Sequence, residues 1–229
     1  MTRFVFRSLF AQAVLIAFAV LLFAQTPARA LDRQLTEREI TLINEISQHH
    51  TDIRTMVGRF LQVNANGDRL EGVFWLARPN KIRFRYGPPS FTEIITAGQG
   101  FYVVDRREKT STAYPQDKVP LRQFLSDRID LLSANLTDVI IFDDTPEPTE
   151  EVPEPVTREL IAVSLADDTP IGVVEVTLIF ETVSKDLIQW SLIEPNGGEL
   201  TFSIFDTRTN VEIPRNYFSI NPDFVSNNN

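Results

Sequence analysis

The sequence predicts a mainly β fold, an antiparallel sheet of about ten or eleven strands with two amphipathic helices laid over its apolar face. Three observations carry this. Residues 56–105 break into short runs rich in aromatic and β-branched residues, each punctuated by Gly, Pro or Asn. Within them polarity alternates: Phe74 and Leu76, then Ile82, Phe84 and Tyr86, share one side, while Lys81, Arg83 and Arg85 take the other. Residues 36–50 and 120–136 repeat apolar side chains at helical spacing, as lids for such a one-sided sheet must.

The chain has 229 residues, 43% of them apolar, no Cys, and a formal charge of −9. That composition suits one ordinary domain, 31–225, without disulfides. Residues 1–30 read as a cleavable secretory signal, with Arg3 and Arg7 before an apolar run from Ala13 to Ala24 and Ala28-Arg29-Ala30 at its end. Losing Arg3, Arg7 and Arg29 takes the charge of −9 to −12. Such an acidic chain argues against nucleic acid and anionic membrane surfaces as resident partners, and a soluble monomer outside the cytoplasm is expected.

In chain order, Thr36 and Glu39 form a capping box, flanked by Leu35 and Ile40 as a hydrophobic staple. Ile40, Ile43, Ile46 and His50 then follow helical spacing as one apolar stripe. The next runs are 57–63, 69–77, 81–86, 91–96 and 101–104, and Asn66-Gly67 between the first two signals a type I′ hairpin. Asp105 to Thr112 is a charged turn into a further strand. Pro120 opens the second helix, whose stripe contains Leu121, Phe124, Leu125 and Ile129. Residues 143–159, dense in Pro and carboxylate, read as an exposed loop. Strands return at 160–165, 173–180, 187–193, 200–205 and 217–220, with Val176 and Leu178 on one face of theirs and Phe202 and Ile204 on one face of theirs. Residues 226–229 form a frayed tail.

Nothing in these patterns points to bond chemistry. His49 and His50 are the only histidines, adjacent on a helix and without metal-ligand or nucleophile spacing around them, and Asp143-Asp144 and Asp167-Asp168 fall in predicted loops. A non-enzyme without cofactor or metal is expected.

The run Gly72-Val73-Phe74-Trp75-Leu76-Ala77-Arg78-Pro79-Asn80-Lys81-Ile82-Arg83-Phe84-Arg85-Tyr86 is the most specific stretch. With Gly58-Arg59-Phe60, Ile95 to Asp105, Leu187 to Glu194 and Phe218 to Pro222, it resembles the LolA family of periplasmic lipoprotein carriers over nearly the whole chain after residue 30. The resemblance implies a strongly curved, incomplete antiparallel β-barrel of about 11 strands, lidded by helices and enclosing a cavity for acyl chains. Phe74, Leu76, Ile82, Phe84, Tyr86, Val176, Leu178, Phe202 and Ile204 would line it. Ile40, Ile43, Ile46, Leu121, Phe124, Leu125 and Ile129 would face it from the lid helices. Alternation alone fits a filled core equally well. The resemblance also makes Arg78 the lid latch, a role that suits a guanidinium with five donors in a fixed fork.

A carrier needs driven loading. Three acyl chains of about sixteen carbons hold roughly 45 methylenes in a membrane, worth on the order of 35 kcal/mol. Non-covalent affinities saturate near about −20 kcal/mol. The family accordingly implies acylated lipoproteins as cargo, an ATP-driven lipoprotein-releasing transporter in the inner membrane and an acceptor at the outer membrane. A second expectation is a periplasmic lipid- or glycolipid-binding or envelope-sensing module on the same half-barrel.

Overall fold

The computed structural model describes residues 31–97, 100–115, 124–148, 154–169, 172–193, 197–221 and 224–227. Residues 1–30, the expected signal segment, and Leu121 lie outside them. One helix, α1 (Glu37–Asp52), precedes twelve strands among the described residues. These are β1 (Thr55–Val63), β2 (Arg69–Ala77), β3 (Lys81–Tyr86), β4 (Thr92–Ala97), β5 (Gly100–Asp105), β6 (Thr110–Pro115), β7 (Leu136–Asp144), β8 (Arg158–Thr169), β9 (Gly172–Glu181), β10 (Leu187–Ile193), β11 (Glu199–Thr209) and β12 (Val225–Asn227). All join one sheet in the order β12-β6-β5-β4-β3-β2-β1-β11-β10-β9-β8-β7. Eleven pair antiparallel, β12 lies parallel to β6, and the end strands β7 and β12 do not meet, so the barrel stays incomplete.

Alternation sorts the side chains as expected. Met56, Phe60, Phe74, Leu76, Ile82 and Tyr86 are buried on the inner face, in one cluster with Val176, Leu178 and Phe202. Two glycines let large rings lie flat across neighbouring strands. Gly58 opposes Phe74 and Gly72 opposes Phe60; a Cβ on Gly72 would stand 2.6 Å from the Phe60 ring and against the Arg85 carbonyl oxygen.

The capping box forms: Glu39 N–H donates to Thr36 Oγ1 at 3.3 Å, and Thr36 N–H donates to the Glu39 carboxylate at 2.7 Å. The buried stripe of α1 is rotated from the expected one. Leu42, Ile43, Ile46 and His50 are buried with Glu39 and Ser47, whereas Ile40 is 39% exposed. Glu39 faces inward because Arg33 meets it with two bonds of 2.7 and 2.9 Å and also donates to the Val139 carbonyl.

The second predicted helix is absent from its described part, since 124–135 is a strap of turns and bends. Local side chains compete with helical bonding there: Asp130 accepts from both the amide and the hydroxyl of Ser133, and Ser126 donates to the Arg128 carbonyl. The Ile129 and Leu131 amides donate instead to Thr51 Oγ1 and Ser47 Oγ of α1, at 3.0 and 3.2 Å.

Other boundaries differ. The β1–β2 connection is a three-residue loop: the Gly67 amide donates to the Asn64 carbonyl, Asn64 pairs with Asp68, and only Gly67 has positive φ. This is a type I turn with a G1 bulge, not type I′. Strand β7, unforeseen by the sequence pattern, takes in Asp143 and Asp144. Arg158 holds Asp144 at 3.0 Å, and Thr145 meets Thr157, so the acidic connection begins later than position 143. Asp167 and Asp168 belong to β8 rather than a loop. Residues 217–220 make no strand: Arg215–Phe218 is a 3₁₀ helix on the outer face, where Trp75 packs edge-on against Tyr217 and Arg83 donates to the Tyr217 carbonyl at 2.8 Å.

Candidate functional site

The inner face is richest in aromatic rings where β3, β2, β1, β11 and β10 lie side by side. Phe60 has Phe84, Tyr86 and Phe202 around it with ring centroids at 5.3, 5.0 and 6.0 Å, and Phe74 lies 6.0 Å from Phe84. Trp190 stacks on Phe202 at 4.0 Å with the planes 6° apart. The structure thus brings Phe74, Phe84, Tyr86 and Phe202 together. Val176 and Leu178 continue the surface on β9, opposite Leu192 and Trp190.

The predicted lining residues are not equally covered. Phe74, Leu76, Ile82, Tyr86, Val176, Leu178 and Phe202 are buried, whereas Phe84 and Ile204 stay partly exposed. Ile94, Phe101 and Leu200 are partly exposed on the same face and pack against the same cluster. Among the described residues, an apolar strip of the inner face is therefore only partly covered. Two polar groups interrupt it: Tyr86 Oη donates to Gln62 Oε1, and Gln62 Nε2 donates to Asn64 Oδ1, both at 2.5 Å. Burial raises the Tyr86 pKa, so the phenol remains a donor.

Arg78 sits at the far end of β2, in the Arg78-Pro79-Asn80 turn, and is buried. Nη1 donates to the Ile53 carbonyl, the C-cap of α1, at 2.7 Å, and Nη2 donates to the Phe124 carbonyl at 2.9 Å. Its guanidinium lies 5.1 Å from the Phe124 ring centroid. Backbone bonds reinforce the junction: Arg78 N–H reaches the Arg54 carbonyl, and Asn80 N–H reaches the Leu125 carbonyl, each at 2.8 Å. Burial, with Arg54 nearby, lowers the Arg78 pKa to about 10, which leaves it charged at neutral pH. One side chain thus ties the sheet to the helix end and to the strap. Of the residues expected to face the sheet from a lid, Ile43, Ile46, Phe124, Leu125 and Ile129 are buried.

The family described as outer membrane lipoprotein carrier protein LolA matches residues 51–221. The chain belongs to the LolA family. A curated relative, the outer-membrane lipoprotein carrier protein of Alkalilimnicola ehrlichii, is 32% identical over 96 residues. That match spans 40% of this chain and 44% of the relative. Two solved structures are similar at low identity. One is an uncharacterized conserved protein from Thermus thermophilus, at TM-score 0.46 and 8% identity, covering 83% of this chain and 99% of that one. The other is a LolA superfamily protein from Nitrosomonas europaea, at TM-score 0.37 and 9% identity, covering 77% and 97%.

Within this LolA-family chain, sequence reasoning missed Phe60, Gln62, Trp190 and His50 as members of the site. Phe60 and Gln62 were findable, because they share the parity of Met56 on β1. His50 follows the helical spacing of Ile43 and Ile46, so its inward face was legible; its packing against Phe124 of the strap was not. Among the described residues, no group of His, Asp and Glu is arranged to hold a metal ion.

Proposed function

We propose that this protein carries acylated lipoproteins through the periplasm from the inner to the outer membrane, shielding their acyl chains against its inner face. The observation that carries the reading is the partly covered apolar strip around Phe84 and Ile204 beside a lid fastened by one buried arginine. Such a strip gives acyl chains an apolar surface to meet, and a lid tied by hydrogen bonds from one side chain can be unfastened. Family membership over 51–221 adds to this.

In this reading the cycle contains no bond chemistry. An ATP-driven transporter in the inner membrane pushes the chains in, α1 and the strap move outward as the Arg78 bonds break, and an outer-membrane acceptor receives the cargo. Aliphatic chains find rings and branched side chains on the inner face, where burial is worth about 0.8 kcal/mol per methylene. That is enough to hold a chain in transit while the donor supplies the remainder. No described helix is long and apolar enough to cross a membrane.

Native mass spectrometry of the protein purified from its own envelope tests the reading. Co-purifying acylated polypeptides are expected. A preparation carrying a regulatory protein partner and no acylated species would overturn it in favour of an envelope-sensing role.

A further inference from the structure

Phe124 is gripped from two sides. Arg78 stacks on its ring and binds its carbonyl, while the His50 ring lies 5.0 Å from it and 5.2 Å from Phe180. His50 is fully buried in the last turn of α1. Its Nε2 lies 2.9 Å from the Lys185 carbonyl oxygen, so Nε2 carries the hydrogen and donates across to the β9–β10 turn. Nδ1 is buried with no hydrogen-bond partner. The ring is therefore the neutral tautomer, set at the meeting point of helix, strap and sheet.

We infer that His50 is a second, proton-sensitive fastening of the closed lid: the neutral ring holds Phe124 and the β9–β10 turn to α1, and a proton on Nδ1 releases the strap. Its bearing on cargo exchange rests on the carrier reading; the fastening itself does not. A proton at Nδ1 would find no acceptor in a pocket walled by two phenylalanine rings. The charged groups around the ring do not help it. His49 adjoins on α1, 3.4 Å from Asp186, and Arg78 comes from the β2–β3 turn. Lys185 supplies the carbonyl, and its own Nζ is taken by Glu45 at 2.8 Å. Burial foremost, then His49 and Arg78, hold the His50 pKa down to about 3.

When the strap lifts, the ring meets water and its pKa returns toward the ordinary 6.5. Opening then takes up a proton, so acid favours it. Between pH 7 and pH 5 the open population rises roughly 25-fold by linkage. Glu39, held near 2, stays ionised throughout that window and does not confuse it.

Amide hydrogen exchange on the mature full-length chain, corrected for intrinsic rates, reads this directly. The Ile129 and Leu131 amides, bonded to α1 side chains, report on the strap; the β8 and β9 amides report on the sheet. In the wild type the strap amides should exchange about 25-fold faster at pH 5 than at pH 7, and at both pH values through an opening that needs less free energy than the one freeing the β8 and β9 amides. His50→Gln and His50→Phe, which cannot titrate, should flatten that dependence. Strap and sheet amides opening with one common free energy, no strap acceleration in the wild type, or an unchanged profile in either variant overturns the proposal; the wild-type series decides even if a variant does not fold. Binding of a fluorescent palmitate is measured on the same samples. The expected exchange without palmitate binding at either pH sinks the carrier reading and leaves the fastening standing, while binding with pH-independent exchange does the reverse.

Discussion

Ile53, which ends α1, gives its carbonyl oxygen to Nη1 of Arg78 at 2.7 Å, so the last turn of the helix is held by a residue from the far end of β2. Replacing Arg78 by Leu strands two buried carbonyls, and each bond from a charged donor is worth about 1.5–3 kcal/mol. The removed guanidinium also no longer needs desolvating, which offsets part of the loss. A net cost of about 2 kcal/mol to the closed, empty state is expected. If opening is what binding requires, that same amount tightens fatty-acid binding about 30-fold and slows handover to an acceptor. Equilibrium titration with a fluorescent palmitate and a transfer assay check both, and transfer at an unchanged rate would remove Arg78 from the mechanism.

Gly72 has no room for a methyl group. A Cβ there meets the Arg85 carbonyl oxygen and the Phe60 ring, the first of which is backbone and cannot swing aside. Gly72→Ala is expected to cost about 2–3 kcal/mol. Gly67→Ala has open space around it and should cost only about 1 kcal/mol, through its φ of +84°. Urea denaturation of the two variants tests the order.

Glu93 is 2% exposed on the outer face. Arg83 pairs with it closely, and Arg85 and Arg106 stand at 3.1 and 3.2 Å. Glu93→Gln leaves these cations without their shared counter-charge and should destabilise by about 3 kcal/mol. Arg85→Ala, half exposed, should cost under about 1 kcal/mol. Comparable losses for the two would contradict a network centred on the carboxylate.

Acid should act on α1 in two windows. Glu39 is held at about 2, mainly by Arg33, then by Thr36, so it contributes stability above the ordinary 4.5 that is lost as pH falls from 4.5 toward 2. Arg33 is partly exposed, and a loss of about 1–2 kcal/mol is expected after allowing for solvent. His50 is depressed as a base, so its loss starts higher, as pH drops below 6.5. Denaturant titrations should find that Glu39→Gln flattens the profile chiefly below pH 4.5 and His50→Gln chiefly between pH 6.5 and 4.5.

The β1–β5 meander was legible because alternation there is strict and each run is closed by Gly, Pro or Asn; Arg69–Ala77 and Lys81–Tyr86 are found at the predicted bounds. The strap was misread for a physical reason. Phe124, Leu125, Ile129 and Leu132 do recur at helical intervals, but Asp130, Ser126 and Ser133 capture the local backbone and the hydroxyls of α1 take the rest. Edge strand β7 escaped notice because Ile140 and Phe142 face outward where alternation calls for polar residues, half hiding its period. The buried faces were thus readable one at a time. What the strap and α1 do to each other was not, since their bonds join residues about 80 positions apart.

The pairing of β1 with β11 sets Met56 opposite Thr209 and Val63 opposite Thr201, so the seam at the middle of the sheet joins the two ends of the domain. A ribosome must therefore release everything through β11 before that seam can zip. Closing so long a loop is slow, which favours a lingering unfolded chain over early collapse. Delay of that kind is useful to any polypeptide that has to be threaded through a narrow translocation pore before it takes shape.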